Sequence, residues 1–376
     1  MLFVAGNARS LIANRGNLIN EMLDQGLEVG AAVPTRDYLP EVEKLGITIF
    51  PFDMGRTGIN PLSDLHAVLK LIHIMRRNKP EAVFSYTIKP VIYGSIAARI
   101  ANVPRVYSMV TGLGHIFTTD SLRTRIIRLM VTKLYRLGVS CSNRVFFQNP
   151  DDENDFIRFG IVRNKEKIVR VNGSGVDTNQ FARLPLPEGS PVFLFVGRML
   201  TEKGIAEFVD AATELQKDYP EARFIAVGPH DPCLPHSVKL EQLQQWKTKS
   251  AVEFIDGVKD VRPWLAKCTI FVLPSYREGT PRSVLEAMSI GRPIITSDAP
   301  GCRETVVEGL NGFLVPPKEV APLATAMRKF LESPEQIVTM ADASRRIAEE
   351  KYDVRKINGL IMEAMKVNES SSKAPI

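Results

Sequence analysis

Short apolar runs alternate along the chain with longer stretches in which apolar residues recur every three to four positions. Residues 2–5, 28–33, 47–50, 82–85 and 105–110 have the length and branched or aromatic content of buried strands. Between them, residues 11–24, 62–77 and 91–100 carry helical spacing. Strands separated by single helices predict a parallel sheet, because parallel neighbours need a crossover and a helix supplies it.

The rhythm is interrupted once. After an apolar run at 169–171 come Asn172-Gly173-Ser174-Gly175 and a Pro-bearing segment at 184–191, a combination predicted to be a linker. It then restarts, with strands expected at 192–196, 223–227, 252–255, 270–273 and 293–296. The prediction is an α/β fold of two Rossmann-like domains, 1–183 and 184–352. A chain of 376 residues accommodates that number. A terminal helix at about 353–367, apolar at helical spacing after the second sheet is complete, is expected to pack back on the first domain, ahead of a polar tail at 368–376.

Composition excludes several classes. With 44% hydrophobic and 24% charged residues the chain is neither disordered nor low-complexity. Cys141, Cys233, Cys268 and Cys302 lie far apart with no C-x-x-C pair, which suits a reducing cytoplasm and argues against a disulfide framework or a zinc site. No signal peptide is expected, since the first residues lack a basic region, and no apolar run approaches the roughly 20 residues of a membrane span.

Charge is unevenly placed. Residues 1–187 hold 24 Lys+Arg against 16 Asp+Glu, a balance of +8, and the remainder 24 against 26, a balance of −2, which together make the net +6. The basic half points to an anionic partner. Nucleic acid is not expected, because no basic stripe with interleaved aromatics and no helix-turn-helix pattern is present. A membrane surface or a diphosphate-bearing substrate fits. The segment 122–137 has five basic residues, no acid and a broad apolar face. It reads either as an interfacial helix or as a helix packed on the first domain with snorkelling basic ends; the expectation is a packed helix whose basic rim faces lipid headgroups.

Candidate chemistry gathers in the second half. Glu278-Gly279-Thr280-Pro281-Arg282-Ser283-Val284-Leu285-Glu286 follows a strand and opens a helical pattern, with Pro281 expected in the first turn. A helix start at a strand's C-terminal end favours an anion. Glu278 and Glu286 would repel a phosphate there but are suited to accept hydrogen bonds from sugar hydroxyls on either side of it. Gly197-Arg198 and Lys203-Gly204 follow the first expected strand of the second half, and two cations five residues apart can bracket a diphosphate. A ribose, a diphosphate and a second sugar are what a nucleotide sugar presents.

Gly197-Arg198 and Lys203-Gly204 with Glu278-x7-Glu286 resemble the retaining glycosyltransferases of family 4. Asp298-x2-Gly301-Cys302-Arg303-Glu304 and Asn311-Gly312-Phe313-Leu314-Val315-Pro316-Pro317 extend the likeness over nearly the whole chain. The resemblance implies the GT-B fold, two Rossmann-like domains facing a central cleft. It implies that Arg198 and Lys203 hold the donor diphosphate, Glu278 the transferred sugar and Glu286 the ribose, with Gly197, Val258, Gly279, Thr280, Pro281 and Arg282 completing the donor site. Arg56-Thr57-Gly58-Ile59-Asn60-Pro61, Thr87-Ile88-Lys89-Pro90 and Thr111-Gly112-Leu113-Gly114 narrow it to transferases that elongate undecaprenyl-diphosphate-linked sugars with N-acetylgalactosamine.

What the narrower likeness implies is a UDP-sugar donor, a polyprenyl-diphosphate-linked saccharide acceptor and a peripheral place on the inner face of the cell membrane. Arg15, Arg56, Lys89, Thr111, Gly112 and His115 are the candidate acceptor residues. Surface ion pairing is an equal reading for Arg15 and Lys89. Many members place a His where this chain has Val110-Thr111-Gly112, and His115, four residues on, is not expected to be a base. No Asp-x-Asp motif or His/Cys cluster is present, so neither a metal nor a cofactor is expected. A UDP-sugar epimerase of the same architecture and a non-catalytic nucleotide-sugar-binding partner are the competing readings. The first needs no acceptor, and the second would tolerate loss of Lys203 or Glu278.

Overall fold

The apolar runs pair in parallel to make two sheets. The computed structural model describes residues 1–34, 39–55, 60–113 and 122–365, with the side chains of 39–40 and 122–126 outside that description. Two compact units result, one made of Met1–Ser174 with the chain from Lys356 onward, the other of Gly175–Arg355.

The first unit runs β1 (Leu2–Val4), α1 (Ala8–Asp24), β2 (Gly30–Val33), α2 (Leu39–Glu43), β3 (Thr48–Pro51), α3 (Pro61–Asn78), β4 (Ala82–Tyr86), α4 (Ile88–Ile100), β5 (Arg105–Val110), α5 (Leu122–Ser140), β6 (Arg144–Phe147), α6 (Pro150–Arg158) and β7 (Ile168–Arg170). The sheet order is β3-β2-β1-β4-β5-β6-β7, with Leu2 opposite both Gly30 and Val83. Side chains alternate between two cores, as the pleat requires. Val4, Val83 and Val106 face α3, α4 and α5, whereas Phe3, Phe84 and Tyr107 face α1.

Two helices begin earlier than their apolar spacing predicts. The Asn7 side chain accepts a hydrogen bond from the Ser10 amide at 2.7 Å and starts α1 at Ala8, a cap that apolar periodicity does not register. Helix α4 starts at Ile88, directly after Thr87, whose φ of 70° and ψ of 165° turn the chain at the end of β4. That region is strained for any residue but glycine.

The second unit runs β8 (Val192–Val196), α7 (Ile205–Asp218), β9 (Arg223–Val227), α8 (Leu240–Lys249), β10 (Val252–Ile255), α9 (Arg262–Lys267), β11 (Ile270–Leu273), α10 (Arg282–Ser289), β12 (Ile294–Ser297), β13 (Gly312–Val315), α11 (Val320–Glu332) and α12 (Glu335–Lys351). Its order is β10-β9-β8-β11-β12-β13. Both units are therefore doubly wound, and the Rossmann-like pair expected from the alternation is the fold. β13 was not among the expected strands, because its glycine and short apolar run lie inside a motif read for its chemistry.

The crossing between units is at Ser174–Gly175, not at the Pro-bearing segment. Val176 and Phe181 already belong to the second core, with Leu184 and Leu186 packed against it, so burial places that segment in the second unit. The final helix, α13 (Val354–Ala364), returns to the first unit. Ile357, Ile361 and Met362 join the core beneath α1, and the Tyr107 hydroxyl donates to the Met365 carbonyl at 2.7 Å.

Asp353 holds the start of that helix. Its carboxylate accepts from Arg355 Nε at 2.9 Å and from the Thr178 hydroxyl at 2.8 Å. Hydrogen bonding from Arg355, opposed by partial burial and helped by Thr178, lowers its pKa from 3.8 to about 2. A lowered carboxylate contributes stability that is complete above the ordinary value and is lost as pH falls toward the lowered one. Asp353→Asn is therefore expected to flatten the acid limb of the melting-temperature profile; a limb of unchanged slope would assign the acid sensitivity to another group.

Candidate active site

In a doubly wound sheet, ligands bind beyond the carboxyl ends of the strands where the strand order reverses. In the second unit that point lies between β8 and β11. The loops following these two strands are those that carry the two motifs.

The loops touch because glycine allows it. Gly204 has φ of 73°, and a Cβ there would lie 2.1 Å from the Pro274 carbonyl oxygen. This close approach sets Lys203, at the end of a 3-10 turn (Thr201–Lys203), beside Glu278, and Lys203 Nζ pairs with Glu278 Oε1. Ser275 Oγ sits 2.8 Å from the same carboxylate oxygen and 3.0 Å from the Glu202 carbonyl, which also receives the Tyr276 amide at 2.9 Å. On its other side the Glu278 amide donates to the Pro300 carbonyl at 2.9 Å. Gly301, with φ of 80°, lies so close that a Cβ would be 2.2 Å from the Glu278 carbonyl oxygen.

Behind the pair, the Tyr276 hydroxyl donates to Glu207 Oε1 of α7 at 2.6 Å. Burial first, and the hydrogen bond to Glu207 second, push that hydroxyl's pKa up, so it stays a donor at neutral pH. Buried Cys302 lies beneath, its Sγ 3.8 Å from the Ser275 carbonyl.

Pro281 is the N-cap of α10, just ahead of the first turn in which it was expected, and its own side chain makes no capping hydrogen bond. The Ser283 hydroxyl donates to the Val196 carbonyl at 3.0 Å, tying the first turn of α10 to the end of β8. Glu286 is 7% exposed and accepts from Arg282 Nε at 2.7 Å. Burial raises its pKa above the ordinary 4.5, with Arg282 opposing. Gly197 and Arg198 continue from β8, with Arg198 exposed. Gly279 is buried and Thr280 half-buried, its hydroxyl donating to the Gly279 carbonyl at 2.9 Å. Val258, after β10, is half-buried against the second core.

Among these residues, Ser275, Tyr276 and Glu207 had not been singled out from the sequence. Ser275 lay three residues before Glu278 and was findable from that spacing. Glu207 carried no signal, since a single acid on a helix is ordinarily solvated.

The candidate acceptor residues behave differently. Arg15 reaches the ends of β4 and β5 but is buried there rather than open to a ligand. It lies within α1, 2% exposed, its guanidinium 5.2 Å from the Tyr86 ring centroid and Nη2 2.6 Å from Met109 Sδ. Burial lowers its pKa to about 10. Arg15 shares the buried face of α1 with Leu11, Leu18, Ile19 and Met22. Lys89 pairs with Asp64 of α3 at 2.8 Å, the ion-pair reading rather than an open cation. Burial and a hydrogen bond to the same Asp64 raise the pKa of the Tyr93 hydroxyl. Thr111 and Gly112 follow β5 and are half-buried. Arg56 and His115 lie outside the described residues.

Residues 190–333 match the family model described as glycosyl transferases group 1, and residues 2–149 that described as glycosyl transferase 4-like. The chain is a family 4-like glycosyltransferase. This glycosyltransferase is 28% identical over 335 residues to N,N'-diacetylbacillosaminyl-diphospho-undecaprenol alpha-1,3-N-acetylgalactosaminyltransferase of Campylobacter jejuni, over 86% of each chain. It is 27% identical over 323 residues to UDP-Gal:alpha-D-GlcNAc-diphosphoundecaprenol alpha-1,3-galactosyltransferase of Escherichia coli, over 82% of this chain and 80% of that one.

Among solved structures, Alr3699/HepE of Anabaena in complex with UDP superposes with a TM-score of 0.77 at 20% identity, covering 97% of this enzyme and 99% of that protein. Sucrose-phosphate synthase of Thermosynechococcus elongatus superposes with a TM-score of 0.79 at 18% identity, covering 98% and 99%. Likeness at such identities is likeness of fold.

Proposed function

We propose that the enzyme transfers N-acetylgalactosamine from UDP-N-acetylgalactosamine to a polyprenyl-diphosphate-linked saccharide, with retention of anomeric configuration. The observation that carries the donor half of this reading is the Lys203–Glu278 pair at the reversal point of the second sheet, beside the start of α10 at Pro281. The printed activities of the Campylobacter and Escherichia relatives, both acting on undecaprenyl-diphosphate-linked sugars, support the acceptor half.

In this reading Arg198, Lys203 and the first amides of α10 take the donor diphosphate. An ammonium carries three donors, so pairing with Glu278 orients Lys203 and leaves others for phosphate. Glu278 accepts from hydroxyls of the transferred sugar and Glu286 from those of the ribose. The bond between the sugar's anomeric carbon and the β-phosphate oxygen breaks, and the acceptor hydroxyl oxygen bonds that carbon from the same face. The acceptor's proton passes to the departing phosphate, whose growing charge the two cations stabilise. No metal takes part in this scheme. The enzyme works at the inner membrane surface without spanning it; among the described residues no helix is long and apolar enough to cross a membrane.

The test is label transfer in detergent and EDTA from UDP-N-acetylgalactosamine, UDP-N-acetylglucosamine, UDP-galactose and UDP-glucose in turn to a polyprenyl-diphosphate-HexNAc. Label entering the lipid phase from UDP-N-acetylgalactosamine alone is expected. Another preferred donor overturns the sugar, and UDP binding without turnover overturns the acceptor.

Glu286 adds a pH signature. Its ionised form accepts ribose hydroxyls, and burial holds its pKa above 4.5. UDP affinity is therefore expected to fall on acidification at a higher pH than an ordinary glutamate would produce, and Glu286→Gln should remove that dependence in calorimetric titrations. A dependence persisting in the variant would assign it to another group.

A further inference from the structure

Three leucines project from the first unit on one side of α3. Leu62 is 81% exposed and Leu65 and Leu69 are each 56% exposed. At 100° per residue they share an arc of about 100° with His66, His73 and Arg76. The leucines lie in its N-terminal half, with His66 among them, and His73 and Arg76 lie in its C-terminal half. The stripe does not serve the fold, since the opposite side of α3, through Ala67, Leu71, Ile74 and Met75, already fills the core. The one acid in α3, Asp64, is turned inward to Lys89.

Helices α3, α4 and α5 form one layer over the sheet, with α4 packed against both neighbours. α5 adds exposed Leu129, Met130 and Leu137 together with exposed Lys133, and the whole segment 122–137 carries no acid. Isolated exposed leucines are ordinary on a protein surface. Three on one helical stripe, with exposed Lys70, Arg76 and Arg77 on the same helix and exposed Lys133 on α5, point to a surface with a partner.

We propose that the Leu62/Leu65/Leu69 stripe of α3 inserts into the interfacial layer of an anionic lipid bilayer, with exposed Lys70, Arg76 and Arg77 of α3 and Lys133 of α5 forming a basic rim on the headgroups beside it. Charge decides the occupant. A second copy of the chain would bring basic rim against basic rim in a two-fold pair, whereas anionic headgroups complement the rim while the acyl boundary takes the leucines. The placement rests on the reading of a lipid-linked acceptor and assigns the face by which the enzyme reaches it.

The experiment is sedimentation of the full chain, without donor or acceptor, with vesicles of phosphatidylglycerol and phosphatidylethanolamine or of phosphatidylcholine alone. The triple variant Leu62→Ser, Leu65→Ser, Leu69→Ser changes only exposed side chains, so its melting temperature should match the parent. Val338→Ser, an equally exposed residue on α12 of the other unit, is the control. Expected are binding to the anionic vesicles only, weakening with salt, a loss of about tenfold or more in the triple variant and none in the control. The triple variant should transfer normally to a water-soluble acceptor analogue and poorly to an acceptor embedded in vesicles.

Three results overturn the proposal: a parent protein that ignores anionic vesicles, a triple variant that sediments like the parent, or a parent dimer that the triple variant dissolves. Vesicle binding lost as expected, alongside no transfer to any lipid-linked acceptor, sustains the membrane face and overturns the acceptor reading instead.

Discussion

Lys203→Ala is expected to lower transfer about 10²–10³-fold, the usual cost of deleting one group that stabilises charge developing in a transition state. Backbone fixes the position of Lys203. The αL turn at Gly204 abuts Pro274 and sets Nζ against Glu278, which Ser275 also holds. Removal leaves Glu278 with its Ser275 contact and intact backbone anchors, so the fold should lose only about 1 kcal/mol, the worth of one polar interaction. Single-turnover rates and UDP affinity, measured separately, divide the effect between chemistry and binding. Lys203→Arg keeps the charge but alters its geometry and should recover part of the rate. A folded Lys203→Ala enzyme with unchanged turnover would remove Lys203 from the mechanism.

Gly301→Ala is expected to destabilise the second unit by about 3 kcal/mol and to depress transfer as well. A φ of 80° costs an L side chain about 1 kcal/mol. The new methyl would meet the Glu278 carbonyl oxygen at 2.2 Å and the Gly279 carbonyl oxygen at 2.6 Å. Both are backbone atoms that no rotamer change can move, so an overpacking cost of about 1–3 kcal/mol is added. Gly309→Ala separates the two causes. Gly309 has φ of 73° with nothing within 4 Å of a Cβ, so it should show the backbone cost alone. Denaturant titration of both variants checks this. Equal losses at the two positions would show that the contact with the Glu278 loop has no weight.

Alternating periodicity was enough to place most of the strands within one or two residues, because buried parallel strands must be continuously apolar whatever surrounds them. Helix starts were less legible. Asn7 and Thr87 begin their helices by capping and by backbone strain, which apolar spacing does not report. The crossing between units was misplaced for a related reason: proline and glycine mark an irregular segment, but only packing shows which core Val176 and Phe181 enter.

The site divides in the same way. Lys203, Glu278 and Glu286 were legible because each lies at a fixed distance from a strand end, and chain connectivity alone carries a strand end to the edge of a sheet. Glu207 and Tyr276 were not, since their meeting depends on α7 packing beside the β11 loop. Sequence shows Arg15 as a cation but not the face of α1 that bears it, and it leaves Lys89 between an acceptor contact and an ion pair because the partner Asp64 is 25 residues away. The two doubly wound units and the glycosyltransferase motifs on their loops are local in origin and therefore readable in the amino-acid order alone. Which charges are paired, buried or open emerges with folding, because pairing and burial are properties of residues distant in the chain and adjacent in space.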